Sequence, residues 1–284
     1  MNNKKVAIAI PASVISDTPH LREKTSKIGL IGRAAAIFQV NEIIVYPDSP
    51  KVNQRGDMAL IALLLAYMET PQYLRKRLFK LEPQLQFAGI LPPLRTPHHP
   101  LNRKAADLKV GEFREGVVLS RTHEGALVDI GVEHTAIMRE TKTPVGERLT
   151  VKIVKVTERV EVETADRAEI PVYWGYRISA EKRSFSELMK EGRYDLTVAT
   201  SKFGSKFADV ADKLSERWAK ANSVLLAFGA PSRGLFEIAR DEGENLNTLV
   251  DFVVNTIPSQ GTETIRTEEA LFASLALFRT WLKR

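Results

Sequence analysis

Val6-Ala7-Ile8-Ala9-Ile10-Pro11, the helically spaced run from Leu21 to Val40, and Glu42-Ile43-Ile44-Val45-Tyr46 together decide the class of this 284-residue chain. The first apolar run is short and stops at proline, which predicts a buried strand followed by a turn. Within the second, Ile28, Ile31, Ala35 and Phe38 share one side of a helix, which passes directly into the third. Strand, helix and strand in that order imply a βαβ unit and hence an α/β fold. Outward from this unit, residues 57–69 and 71–81 predict two more helices, the second with Thr70 as N-cap and Pro71 at the first helical position. Leu91-Pro92-Pro93-Leu94-Arg95-Thr96-Pro97-His98-His99-Pro100-Leu101 then predicts a rigid, extended connector.

Beyond the connector the period changes from helical to alternating. Gly116-Val117-Val118-Leu119-Ser120, Gly125 to Gly131 and Arg148 to Val156 predict short strands of a small barrel with a pattern like that of S1-like OB barrels. Phe113 and His123 are its obvious base-stacking candidates; the alternative is a spacer barrel with no ligand. From Val172 the α/β alternation resumes. Ser184-Phe185-Ser186-Glu187 is a capping box. Tyr194 to Thr200, Ser223 to Phe228 and Asp251 to Asn255 predict strands, and Val210 to Ala221 and Thr267 to Leu282 helices. The expected organisation is an α/β domain over residues 1–101 and 168–284, interrupted by a barrel over residues 102–167.

The composition, with 44% hydrophobic and 27% charged residues, excludes intrinsic disorder. The longest apolar run, Met58 to Met68, is far short of the roughly 20 residues of a membrane-spanning helix. The start shows no small-residue cleavage site, and the absence of cysteine removes disulfides, thiolate nucleophiles and Cys-based metal sites. A cytoplasmic protein with no resident metal and no membrane partner is expected. Residues 1–110 carry 16 Lys and Arg against 8 Asp and Glu, whereas the remainder carries 25 against 27. Such asymmetry fits a polyanion partner such as a nucleic acid, with Arg33, Arg75, Lys76, Arg77, Lys80 and Arg95 as candidate contacts. It equally fits solvated helix faces.

Three loops are expected at the carboxyl ends of the last strands, where an α/β sheet places its ligands. They are Thr200-Ser201-Lys202-Phe203-Gly204, Gly229-Ala230-Pro231-Ser232-Arg233-Gly234, and the long segment from Asn255 to Arg266. The second has glycine at both ends, but Leu235 stands where a Walker A lysine would be, and no G-x-G-x-x-G follows the first strand. The third is rich in hydroxyls and backbone donors, is too long for a plain connector, and precedes a helix with Glu268 and Glu269 in its first turn.

The paired motifs G-A-P-S-R-G-L-F-E (229–237) and N-T-I-P-S-Q-G-T-E-T-I-R-T-E-E-A (255–270) resemble the cofactor loops of SPOUT-class, trefoil-knotted RNA methyltransferases. With L-P-P-L-R-T-P-H-H-P-L and the N-terminal V-A-I-A-I-P-A-S, the resemblance narrows to the archaeal and eukaryotic family of RNA uridine methyltransferases with an inserted OB-like barrel. It covers essentially the whole chain. The resemblance implies a C-terminal knot, a homodimer and S-adenosylmethionine as cofactor. The cofactor would be held by Gly229, Ile257, Gly261 and Ile265, with Thr200 and Asn255 closing the pocket and Gly234, Gln260 and Thr264 in the same loops. It implies methylation at uridine N3, in a structured RNA such as ribosomal RNA.

Methyl transfer from a sulfonium is an in-line displacement in which the enzyme aligns the acceptor and removes a proton. A guanidinium that stabilises the developing anion on the base could matter as much as a general base, and Arg233 and Arg266 are the favoured candidates. Each has a bland alternative: Arg266 pairing with Glu268 or Glu269, and Arg233 as a surface charge. His98 and His99, adjacent in an extended segment, should point in opposite directions, and a packed connector is expected for them. Glu237 either orients the second loop or starts a helix. The rival functions are a non-catalytic RNA-binding or assembly factor that keeps the knot as a scaffold, and a small-molecule enzyme.

Overall fold

The computed structural model describes residues 4–282. Its strands are β1 (Lys5–Pro11), β2 (Glu42–Tyr46), β3 (Phe113–Thr122), β4 (Gly125–Asp129), β5 (Ala136–Met138), β6 (Arg148–Val156), β7 (Val160–Thr164), β8 (Arg177–Ala180), β9 (Leu196–Lys206), β10 (Ser223–Ala227) and β11 (Phe252–Asn255). Its helices are α1 (Leu21–Ile37), α2 (Arg55–Glu69), α3 (Gln72–Leu78), α4 (Phe185–Lys190), α5 (Phe207–Lys220), α6 (Leu235–Asp241), α7 (Leu246–Leu249) and α8 (Thr267–Trp281). The chain divides into two compact units, one of Met1–Ala66, Phe87–Pro92 and Tyr176–Arg284, the other of Tyr67–Gln86 and Pro93–Gly175. The second is wider than a barrel alone, because α3 and most of the proline-rich connector belong to it.

In the first unit, six parallel strands form a sheet of order β11-β9-β10-β1-β2-β8. β1 is central, and Ile8, Ala9 and Ile10 are fully buried, as a strand covered on both faces requires. Ala7 and Ala9 point into a core with Tyr46, Phe185, Leu188, Leu235, Ile238 and Leu246, which brings in α4, α6 and α7. On the other helices, α1 packs on α8, and Phe278 of α8 meets Phe207 and Trp218 of α5. The Ser184 capping box is present: Ser184 Oγ accepts from the Glu187 N–H, and Glu187 Oε2 accepts from the Ser184 N–H at 2.8 Å.

β9 runs to Lys206, but Thr200–Gly204 bulges out of the ladder, paired with neither β10 nor β11, so the expected loop lies within the span of the strand. Past a shift in register between Val253 and Val254, Ser205 and Lys206 pair with Val254 and Asn255. Gly204 permits this: a Cβ there would stand 2.7 Å from the Val253 carbonyl. The edge strand β8 and the short helices α6 and α7 escape a periodicity analysis, since each is only four to seven residues long.

The second unit is built on a closed five-stranded barrel, β3-β4-β5-β7-β6, in which only β5 and β7 run parallel. Val118, Val128, Ile130, Met138, Val151, Ile153 and Val162 fill its interior. β5 is three residues long, too short to show a period. Two expectations fail here. Pro71, not Thr70, is the N-cap of α3, and the Thr70 hydroxyl instead accepts from Arg148 Nη1 at 3.3 Å. The connector is not extended throughout: Arg95 takes a left-handed φ of 52°, and the His99 N–H donates to Thr96 O at 2.8 Å. That turn brings both imidazoles to one acceptor, with His98 Nε2 and His99 Nε2 at 3.0 and 2.7 Å from Glu69 O.

Candidate cofactor and active site

The carboxyl ends of β9, β10 and β11 surround a cavity of about 300 Å³, a volume at the lower end for small-molecule sites. Thr200 to Phe203 form one wall, Phe228 to Gly234 with Phe236 and Glu237 a second, and residues from Asn255 to Ala270 the third. Short polar side chains tie these walls together. Thr200 Oγ1 donates to Ala227 O at 3.0 Å, and Thr267 Oγ1 donates to Gly229 O at 2.9 Å. Asn255 holds two segments at once, accepting from the Ile257 N–H at 3.0 Å and donating to Lys202 O at 3.0 Å. Gln260 Nε2 reaches Thr262 O and Glu263 O at 2.8 and 3.1 Å, and Lys202 Nζ reaches the same Glu263 carbonyl at 3.2 Å. The third loop turns at Ser259, whose φ is +61°.

The second loop closes on itself. The Ala230 N–H donates to Arg233 O at 2.9 Å, and a Cβ on Gly229 would lie 3.2 Å from that same carbonyl oxygen. Glu237 fills both roles considered for it, since its Oε2 accepts from the Gly234 N–H at 3.1 Å at the start of α6. Arg233 is not a free surface charge. Its guanidinium is 27% exposed, lines the cavity, and donates to Asp48 Oδ2 at 2.8 Å, to Asp48 O, and to Asp241 Oδ2 at 3.0 Å. Burial works against its charge, but the bonds to Asp48 and then Asp241 outweigh it and leave the Arg233 pKa raised. Asp48 is itself buried and also accepts from Ser13 Oγ at 2.6 Å and Gln54 Nε2 at 2.8 Å. Nothing in the sequence marks Asp48, because Ser13 and Arg233 reach it from 35 and 185 positions away.

Of the residues expected at the site, Thr200, Gly229, Arg233, Gly234, Asn255, Ile257, Gln260, Thr264 and Ile265 line the cavity. Gly261 and Arg266 do not. Arg266 is exposed at the N-terminus of α8, where its N–H donates to Glu269 Oε2 at 2.9 Å. Among the basic candidates, Lys76, Lys80 and Arg95 are exposed, and Arg33 is half-buried. Arg77 is committed to Asp129 at 2.6 Å. Arg75 is structural: it donates to Thr70 O and Met68 O and lies over the Tyr67 ring.

A second polar constellation, in the barrel unit, went unforeseen. Arg148 on β6 donates from Nη1 to Glu69 Oε2 at 2.6 Å and from Nε to Glu115 Oε2 at 2.5 Å. Glu115 also accepts from Thr150 Oγ1 at 2.8 Å and Trp174 Nε1 at 2.5 Å. Burial works to raise the Glu69 pKa, but the hydrogen bond from His98 and the charge of Arg148 outweigh it and hold Glu69 down at about 2. Burial pushes His99 down to about 4. Gly175, at φ +84°, leaves the room: a Cβ there would fall 2.6 Å from Glu69 Oε1 and His98 Cε1.

With this geometry in place, the chain can be compared with known proteins. The profile of a family described as "Putative RNA methyltransferase" matches residues 5–278. A Mus musculus protein named 28S rRNA (uridine-N(3))-methyltransferase is 35% identical over 98% of this chain and 76% of its own length. The Homo sapiens protein of the same name is 34% identical over 98% and 78%. An uncharacterized protein of Halobacterium salinarum is 30% identical over 95% of this chain and 96% of its own. A parallel sheet carrying a cavity at its carboxyl edge, an inserted five-stranded barrel and a match along almost the entire sequence agree with one another: the chain belongs to this RNA methyltransferase family.

Proposed function

We propose that this chain uses S-adenosylmethionine to methylate N3 of a uridine in ribosomal RNA. The observation that carries the proposal is the cavity at the ends of β9, β10 and β11, in a chain 35% identical to a protein named for that reaction. The residues present suit the cofactor. Ile257, Ile265, Phe228 and Phe236 offer apolar walls for an adenosine and a thioether chain, and the Gly229–Gly234 loop and residues 255–265 offer backbone groups and hydroxyls. When bound, the cofactor supplies an electrophilic methyl group. Asn255 and Thr267 keep the loops at a fixed separation before any ligand enters, which is the preorganisation that alignment of two reactants demands.

Arg233 takes the role of stabilising negative charge on the uracil as N3 loses its proton, because it is the guanidinium on the cavity wall and Arg266 is not. Asp48 and Asp241 hold it in place, so little reorganisation accompanies the reaction. Lys76, Lys80, Arg95 and Arg33 would contact RNA phosphates, and a cytoplasmic setting suits a ribosomal substrate. A homodimer is supported by exposed apolar side chains on the packed pair α1 and α8, namely Leu30, Ile37 and Trp281. The bonds that tie residues 255–263 to Lys202, just before α8, support a threaded C-terminus of the trefoil kind.

Calorimetric titration with S-adenosylmethionine, followed by mass spectrometry of ribosomal RNA incubated with enzyme and cofactor, tests the proposal. Cofactor uptake and a methylated uridine are expected. A folded protein that takes up no cofactor would instead be an RNA-binding scaffold.

A further inference from the structure

Among the described residues, Phe203 and Trp281 are the only Phe, Tyr or Trp side chains that are exposed, and Phe203 is the more so, at 75%. Its position is unusual for so large a solvated ring, because it stands on the wall of the cavity, in the bulge of β9. The Phe203 N–H donates to Ser201 Oγ at 3.2 Å, Lys202 O accepts from Asn255, and Gly204 lies against the Val253 carbonyl. Lys202 Nζ lies 5.3 Å from the centre of the ring, and Lys206 is exposed on the same strand. An exposed aromatic beside a lysine, at the mouth of a small-molecule cavity, has the composition of a single-stranded nucleic-acid platform. Sequence-specific RNA recognition works chiefly through unstacked bases laid on such rings, and an enzyme acting on a base inside a structured RNA must first extrude it.

We infer that Phe203 is the stacking platform for a nucleobase at the mouth of the cavity, with Lys202 beside it to take an adjoining phosphate. The inference deepens the proposed function and rests on its RNA substrate. It assigns RNA contact to the end of β9, outside the basic N-terminal stretches.

The test measures affinity, without cofactor, for a ten-residue oligouridylate and for an abasic oligonucleotide of the same length. Phe203→Leu keeps apolar bulk but removes the π face, and should weaken oligouridylate binding about ten-fold, while abasic binding, carried by lysines, stays as in the native protein. Phe203→Trp should keep the native affinity, and its added indole fluorescence should be quenched by oligouridylate. Three results would overturn the inference: no binding of oligouridylate by the native protein, equal affinity in Phe203→Leu, or an equal loss on the abasic strand. A dimer in sedimentation velocity that Phe203→Leu converts to monomer would also overturn it, since the ring would then be covered by a second copy. The two ideas fail separately. Loss on oligouridylate in a protein that takes up no S-adenosylmethionine sinks the methyltransferase reading and leaves the platform standing, and the converse result does the opposite.

Discussion

The cavity of the sheet unit and the charged cluster of the barrel unit are both built from polar residues brought together from distant parts of the chain, yet they finish in opposite conditions. Around the cavity, Thr200, Asn255, Gln260 and Thr267 use short side chains to tie backbone to backbone, and room is left between the walls. In the barrel unit, Glu69, Glu115 and Arg148 close on one another, and Glu69 and Glu115 are buried. The difference separates polarity that serves a ligand from polarity that serves the fold. The first is held open mainly by single hydrogen bonds to backbone, with Arg233 clamped at its wall, and the second is a closed charged cluster largely satisfied from within.

The comparison breaks most sharply at Arg148. Its replacement by methionine strands two buried carboxylates, and a loss of about 3–5 kcal/mol is expected in urea unfolding. A loss below about 1 kcal/mol would mean that Glu69 and Glu115 are served well enough by His98, Thr150 and Trp174, and that the cluster is not held together by its guanidinium. The matching change at the cavity, Arg233→Met, should act on rate rather than on stability. Asp48 keeps its Ser13 and Gln54 partners, whereas kcat should fall on the order of a hundred-fold if Arg233 stabilises the anionic base. An unchanged kcat would reduce Arg233 to a clamp between Asp48 and Asp241.

A smaller effect separates the regions by pH. His99 has a folded pKa of about 4, below its ordinary value of 6.5, so between those values the unfolded chain binds the extra proton and stability falls as pH falls. The expected loss, reduced for partial exposure, is about 2 kcal/mol, complete below pH 4. His99→Gln should flatten the stability profile from pH 6.5 to 4. The contribution of Glu69, whose pKa is depressed, is present above about 4.5 and lost as pH falls towards 2, so it survives in that variant. A profile unchanged by His99→Gln would show that another group titrates there. The smallest effect expected is at Asn255→Ala, which unties Ile257 from Lys202. Cofactor affinity should fall about ten-fold, or about 1.4 kcal/mol, by calorimetry, with the thermal midpoint lowered by only a few degrees. Native affinity in this variant would mean that the third loop holds its shape without the asparagine.

What could be read in advance follows the same division. β1, α1 and β2 announce themselves because central parallel strands are continuously apolar and their helix is periodic over many turns. The second and third loops are local sequence runs whose residues reach the cavity together, so the motif and the site nearly coincide. Glu69 and Arg148, and Asp48 as the anchor of Arg233, acquire their meaning from partners many positions away, and no local pattern carries that information. The failures at Thr70 and at the His98–His99 turn have the same origin. Local rules made Thr70 a cap and the connector extended, and the long-range partners Arg148 and Glu69 decided otherwise. The loop expected at Thr200–Gly204 is a bulge inside β9, and the return of Ser205 and Lys206 to β11 beyond it is a long-range pairing that no local pattern announces.

The place of β1 in the sheet also sets a timetable for synthesis. Lys5 pairs with Ser223, so β1 leaves the ribosome long before β10, its partner in the interior of the sheet, has been made. At ordinary elongation rates that wait lasts on the order of tens of seconds. Throughout it, an apolar strand has an unsatisfied edge of the kind that recruits other chains. The same wiring gives the sheet unit many contacts distant in sequence, which slows folding even after release. A nascent chain of this protein should therefore depend on chaperones until its C-terminal third has been made, and truncations there should yield insoluble protein, not a smaller folded one.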